Sequence, residues 1–90
     1  MQDYGLVSII TPNWNCANLI LETIRSVKAQ TYPNWEIIIV DDCSTDNSNK
    51  VVESYMAEDG RIRFLKNDKN FGAALSRNYA LREAKGRWIA

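Results

Sequence analysis

Short apolar runs alternate with amphipathic stretches along this chain, and their spacing predicts seven elements. The plainest lies at residues 37–40, Ile-Ile-Ile-Val, where no polar residue falls at alternate positions. Neither face of such a run expects water, so a central parallel strand, starting at Trp35 and covered on both sides, is predicted there. Residues 6–11, Leu-Val-Ser-Ile-Ile-Thr, predict a first strand closed by Pro12, which cannot donate to a ladder. Pro12-Asn13-Trp14-Asn15 then reads as a turn. Ile20, Leu21, Ile24 and Val27 recur at helical spacing, so a helix capped by Asn15 or Asn18 is predicted through Gln30. Residues 31–34, with Pro33, break it before the central strand.

The second half repeats the alternation. Asp46 or Ser48 can cap a helix whose Val51, Val52, Tyr55 and Met56 share one side, and Asp59-Gly60 ends it. Residues 61–65, Arg-Ile-Arg-Phe-Leu, predict a third strand with its arginines on a wetter face, as at a sheet edge. A third helix is expected over 73–84, with Ala74, Leu75, Ala80, Leu81 and Ala84 toward the sheet and Gly86 as its C-cap. Residues 87–90 start a fourth strand. The order βαβαβαβ predicts an α/β, Rossmann-like doubly wound parallel sheet, with strand order 3-2-1-4 if the winding reverses after the third strand. Ligands of such sheets bind at the carboxyl ends of the strands, so residues 11–15, 41–46 and 66–72 should converge.

Composition narrows the function classes. Eleven basic and 11 acidic residues cancel and are scattered, which argues against a phosphate-neutralising stripe and hence against nucleic acid as partner. Ninety residues make at most one domain with a modest core, and we expect a piece of a larger protein, truncated after the fourth strand. No apolar run approaches the roughly 18 residues that span a bilayer, so a cytoplasmic placement is expected, with a membrane-peripheral one compatible. The chain has no His and only two cysteines, Cys16 and Cys43, in no Cys-x-x-Cys spacing. That removes the common zinc and Ser-His or Cys-His arrangements, and both thiols are expected to be buried spectators.

Candidate chemistry collects at the expected mouth. Asp41, Asp42, Ser44, Thr45 and Asp46 follow the central strand directly. An acceptor-only carboxylate at Asp42 suits a ligand with an imide or amidine N–H, such as uracil or guanine, although Asp41 and Asp42 could equally cap the following turn. Trp14 offers a flat surface on which a base could stack, whereas Trp35 and Trp88, at strand starts, are assigned to the core. Gly72 precedes a helix whose first free N–H groups favour an anion, and Arg77 could pair with a diphosphate or with Asp68. Mid-helix Asn78 either bonds something specific or lies on the surface.

Taken in order, Pro12-Asn13-Trp14-Asn15, Val40-Asp41-Asp42-Cys43-Ser44-Thr45-Asp46, Asn70-Phe71-Gly72, Arg77-Asn78 and Gly86-Arg87-Trp88-Ile89 resemble the family 2 nucleotide-sugar glycosyltransferases over nearly all 90 residues. The resemblance implies a GT-A fold whose first half holds a nucleotide-sugar, most often a UDP-sugar, and a role in cell-surface polysaccharide synthesis. It implies that Pro12 and Trp14 line the base and ribose pocket, that Asp42 accepts from the base, that Ser44 fixes the loop, and that Gly72 and Arg77 border the diphosphate. It also implies a Mn²⁺ or Mg²⁺ ion and a catalytic base held by residues beyond Ala90, with an inverting transfer to a saccharide or lipid-linked acceptor. No catalytic residue or metal ligand is therefore expected within the 90, and the chain alone should be inactive. The family usually has Tyr at the Trp14 position and Gly or Asn at the Cys43 position.

Two other classes fit less of the pattern. A non-catalytic nucleotide-binding or assembly module would keep the fold and self-associate through the apolar edge of the fourth strand. A phosphoacceptor receiver domain would need its acidic pair after the first strand, where Thr11-Pro12 stands instead.

Overall fold

The structure, a computed structural model, describes residues 3–90. Seven elements follow in order: β1 (Val7–Asn13), α1 (Ala17–Ala29), β2 (Trp35–Asp41), α2 (Ser48–Met56), β3 (Ile62–Lys66), α3 (Ala73–Glu83) and β4 (Trp88–Ile89). The four strands are parallel and ordered β3-β2-β1-β4, as the alternation predicted. All seven residues of β2 are buried, and Ile37 to Val40 are fully inaccessible.

Alternate β2 side chains feed two separate cores. Ile37 and Ile39 join Ile20 and Ile24 of α1, Val52 of α2, Trp35 and Ile62 on one face. Ile38 and Val40 meet Ile10 and Ala80 of α3 on the other. Burying each Ile contributes about 2–3 kcal/mol before chain entropy is counted, so this strand, sheathed on both sides, is the largest single source of cohesion. On the α1–α2 side, the Arg61 guanidinium lies 3.8 Å from the centre of the Trp35 ring and Nη1 donates to Pro33 O, which closes the edge beside β3.

Several local expectations are corrected. β1 does not stop at Thr11 but runs through Pro12 to Asn13. Ile10 N donates to Ala90 O on the β4 side, and by the alternation of a parallel ladder Pro12 faces that same side, beyond the short β4 pairing. Its missing N–H therefore breaks no bond to β2. On α3 the predicted Ala80 is fully buried and Ala84 packs against the same core, but Ser76, also fully buried, takes the remaining inward place, while Leu75 and Leu81 are 56% and 41% exposed. Close approach selected small side chains, and the larger leucines turned outward. Gly86 is not a C-cap: Ala84 ends the helix in an extended conformation. A Cβ on Gly86 would lie 2.7 Å from Ser8 N and 2.9 Å from Leu6 O, and closer still to Ser8 Oγ, so glycine is required by contact with β1. Trp88 is half exposed, against the core assignment, and lies with exposed Ile89 on a strand of two residues. Cys16 and Cys43 are exposed free thiols, again against expectation.

At the amino end of the sheet, three strands hold the α3–β4 turn through one buried carboxylate. Ser8 Oγ donates to Glu36 Oε2 at 2.5 Å, Lys85 N donates to the same oxygen at 2.8 Å, and Arg63 Nη1 donates to Oε1 at 3.3 Å. Arg63 also donates to Glu83 O, and Gly86 N donates to Ser8 Oγ. Burial works against the Glu36 charge, but these donors outweigh it and hold the carboxyl below its ordinary value. Arg63 is thus a structural partner rather than the solvated edge residue predicted.

Candidate functional site

At the opposite end, the segments after β1, β2 and β3 are laced together by side-chain hydrogen bonds. Asp42 N donates to Asn13 O and Asn67 N to Asp41 O, which ties each segment to the next. The Asp41 carboxylate accepts from Asn13 Nδ2 (3.0 Å), Ser44 Oγ (2.6 Å) and Ser44 N (2.9 Å). Ser44 Oγ in turn accepts from Asn15 N at 3.0 Å. Asp41 and Ser44 therefore fix the loop after β2, and Asp41 is the carboxylate that caps the local turn. Cys43, with φ +63°, takes the left-handed conformation that bends the chain there.

Neither Asn15 nor Asn18 caps α1. Asn15 Oδ1 accepts from Thr45 N and Asp46 N instead, while Asp46 reaches back to accept from Ala17 N at 3.1 Å. Asp46 Oδ1 also accepts from Ser48 N and Ser48 Oγ, so one carboxylate serves the starts of both α1 and α2. The Ser48 side chain, more than any other partner, holds its carboxyl below the ordinary value.

Asp42 faces the third segment. Its Oδ1 accepts from Phe71 N (2.7 Å) and Asn67 Nδ2 (3.0 Å), and its Oδ2 from Gly72 N (2.8 Å). Burial raises its pKa, yet the hydrogen bonds from Asn67, Phe71 and Gly72 prevail and the carboxyl stays ionised below its usual range. Asn67 is itself held, since Nδ2 also donates to Ser76 Oγ at 2.9 Å. Gly72 has φ +91° with nothing within 4 Å of an added Cβ, so its backbone conformation, not crowding, calls for glycine.

Beside these groups lies a hollow of about 90 Å³ lined by Pro12, Asn13, Trp14, Asp42, Ala73 and Ser76. Trp14, 53% exposed, forms one wall with an open indole face. Of the residues singled out from sequence, Pro12, Trp14 and Asp42 line this hollow, Gly72 is bonded to Asp42 at its edge, and Ser44 lies beneath in the loop. Arg77 is exposed on α3, next to Ser76, and among the described residues no carboxylate or carbonyl holds it, Asp68 included. Asn78 is likewise on the surface. The sequence reading missed Asn13, Ala73 and Ser76 as lining residues and Asn67 as the brace of Asp42. Of these, Asn13 alone carried a signal, inside the Pro12-Asn13-Trp14-Asn15 motif. A second hollow, about 260 Å³, lies along α3 between Asn67, Phe71, Leu75, Tyr79 and Arg82, away from Trp14.

Among the described residues no three His, Cys, Asp or Glu side chains gather where they could hold a metal ion. Asp41, Asp42 and Asp46 are each committed to protein donors. No helix among the described residues is long and apolar enough to cross a membrane.

The family profile described as "Glycosyl transferase family 2" matches residues 8–90. The chain is 50% identical over 91 residues to the Escherichia coli UDP-Glc:alpha-D-GlcNAc-diphosphoundecaprenol beta-1,3-glucosyltransferase WfgD, covering 100% of this chain and 34% of that protein. Among solved structures, the mannosyltransferase PcManGT from Pyrobaculum calidifontis, in complex with GDP-Man and Mn²⁺, superimposes with a TM-score of 0.88 at 28% identity, over 98% of this chain and 27% of that one. TarS 1-349 of S. aureus in complex with UDP gives 0.84 at 32% identity, over 92% and 25%. The chain thus spans about a third or less of the length of these relatives. A parallel β3-β2-β1-β4 sheet, three converging loops and a family match over all but the first seven residues lead to one conclusion: the chain belongs to glycosyl transferase family 2 and has the GT-A fold.

Proposed function

We propose that these residues form the donor-nucleotide half of an enzyme that moves a glycosyl group from a nucleoside diphosphate sugar to an acceptor hydroxyl. The observation that carries the reading is the convergence of Trp14, Asp42 and Gly72, from three separate strand ends, on one mouth. In this reading the indole of Trp14 stacks on the base, Pro12 walls the ribose, and Asp42 accepts an N–H from the base edge. Ser44 keeps the Asp42 loop in place. The amino end of α3 after Gly72, with the uncommitted Arg77 cation, favours the diphosphate. The GDP-Man and UDP complexes of the structural neighbours support a nucleotide ligand, and the WfgD name supports a UDP-sugar donor with a lipid-linked saccharide acceptor.

In the transfer itself, the acceptor oxygen attacks the anomeric carbon from the face opposite the diphosphate. The bond to the diphosphate oxygen breaks with its electron pair, and a base takes the acceptor's proton, giving inversion. The carboxylates Asp41, Asp42 and Asp46 are committed to protein donors and do not fit Mn²⁺ or Mg²⁺. The reading assigns the cation and the base to residues beyond these 90, and the chain alone should bind nucleotide weakly without transferring sugar. A calorimetric titration with UDP, GDP and dTDP, with and without Mn²⁺, tests it. Saturable binding of UDP is expected; no binding of any of the three overturns the reading.

A further inference from the structure

A carboxylate offers about four good acceptor positions, and at Asp42 all four are taken. Phe71 N, Gly72 N and Asn67 Nδ2 fill three. The fourth belongs to Asn70. In the orientation that satisfies both ends of its amide, Asn70 donates to Asp42 Oδ2 at 3.0 Å and accepts from Trp14 Nε1 at 3.0 Å. The four donors differ in what their departure would cost. Two are backbone N–H groups that fix the start of α3, and the third is a side chain pinned on buried Ser76. Asn70 is exposed, and it bonds to an exposed indole.

From this we infer that Asn70 is an internal competitor for the mouth: a ligand N–H reaches Asp42 only by displacing the Asn70 amide, which also releases Trp14. The amide presents an N–H beside a carbonyl oxygen, the same neighbouring donor and acceptor that a pyrimidine imide edge carries, so it occupies the position such a base would take. Displacement exchanges one hydrogen bond to Asp42 for another and frees the indole to turn onto the base. Asn70 therefore sets affinity and selectivity by opposing entry. A ligand without an N–H at that edge cannot replace the Asn70 contact and would leave Asp42 short of a partner.

This inference rests on the donor-site reading, and the test separates the two. Nuclear magnetic resonance of the 90-residue chain follows the Trp14 indole N–H and the amides of residues 42 and 70–72 while UDP is added, for the natural sequence and for Asn70→Ala. Before UDP, the variant should shift the Trp14 indole resonance and speed its exchange with water. An unmoved indole resonance overturns the inference without touching the donor-site reading. With UDP, removing a competing hydrogen bond should tighten binding about 3- to 10-fold, the scale of one net hydrogen bond. Equal or weaker binding by Asn70→Ala overturns the competition and makes Asn70 a bystander or a direct ligand. Absence of UDP binding in both forms overturns the donor-site reading, and the competition with it.

Discussion

Replacing Glu36 with Gln removes a charge from the buried clasp at the amino end of the sheet while keeping the side chain's shape. Glu36 is 6% exposed and receives Ser8 Oγ, Lys85 N and Arg63 Nη1 across its two oxygens. A glutamine has one acceptor oxygen. If that oxygen keeps the Ser8 and Lys85 bonds, the amide nitrogen points its hydrogens at the Arg63 guanidinium, and Arg63, 27% exposed, loses its buried counterion. The remaining ion pair of Arg63, to Glu83 at 3.8 Å, is longer and wetter. A hydrogen bond to a charged group contributes about 1.5–3 kcal/mol, so Glu36→Gln should cost about 2–3 kcal/mol. A domain of this size holds roughly 5–13 kcal/mol in all, which makes the loss large. Urea unfolding followed by Trp fluorescence would show the midpoint falling by about 1–2 M with an unchanged slope. A double-mutant cycle with Arg63→Met should recover about 1 kcal/mol or more of coupling. A midpoint within about 0.3 M of the parent's would refute the claim that this carboxylate holds the turn.

The other predictions concern the same clasp and the acid range. Gly86→Ala drives a Cβ into β1 backbone 2.7–2.9 Å away, so the α3–β4 turn must lift from the sheet. Thermal unfolding should register about 2–4 kcal/mol of destabilisation, and a value under about 0.5 kcal/mol would show that the turn yields freely. Acid should destabilise the fold. Glu36, Asp42 and Asp46 all titrate below their ordinary values, and the Arg61 side chain first among its causes brings Asp59 to about 2. The unfolded chain therefore binds more protons than the folded one in this range, so stability is complete above the ordinary carboxylate values and is lost as pH falls through the lowered ones. Denaturant midpoints measured from pH 6 to pH 2 should decline steadily below about pH 4, and a flat profile would count against these networks.

How much could be read from the letters depended on whether the cause lay nearby in the chain. The β2 run was legible because four β-branched residues state their burial locally, and strand order followed from the alternation of elements. What escaped was set by partners far away in sequence. Asp46 caps a helix that begins 29 residues earlier, and Asp42 is spoken for by backbone groups 29 and 30 residues later. The inward face of α3 was read correctly at Ala80 and Ala84 and misassigned at Leu75 and Leu81, where hydrophobicity points inward but the close approach to the sheet admits the small Ser76 instead. Ser76 can be buried because Asn67 supplies its hydrogen bond, a pairing with no local signature.

The central claim is that loops from three strand ends grip one nucleotide between Trp14, Asp42 and Gly72. Mapping amide and indole resonance changes across the whole chain as UDP is added tests it most directly. The account predicts that the largest changes cluster at Trp14, at residues 42–44, at residues 70–73 and at Ser76, with Glu36, Lys85 and Trp88 at the far end of the sheet unmoved. Changes centred on the Glu36 end, or along the outer face of α3 at Leu75 and Arg82, would contradict it.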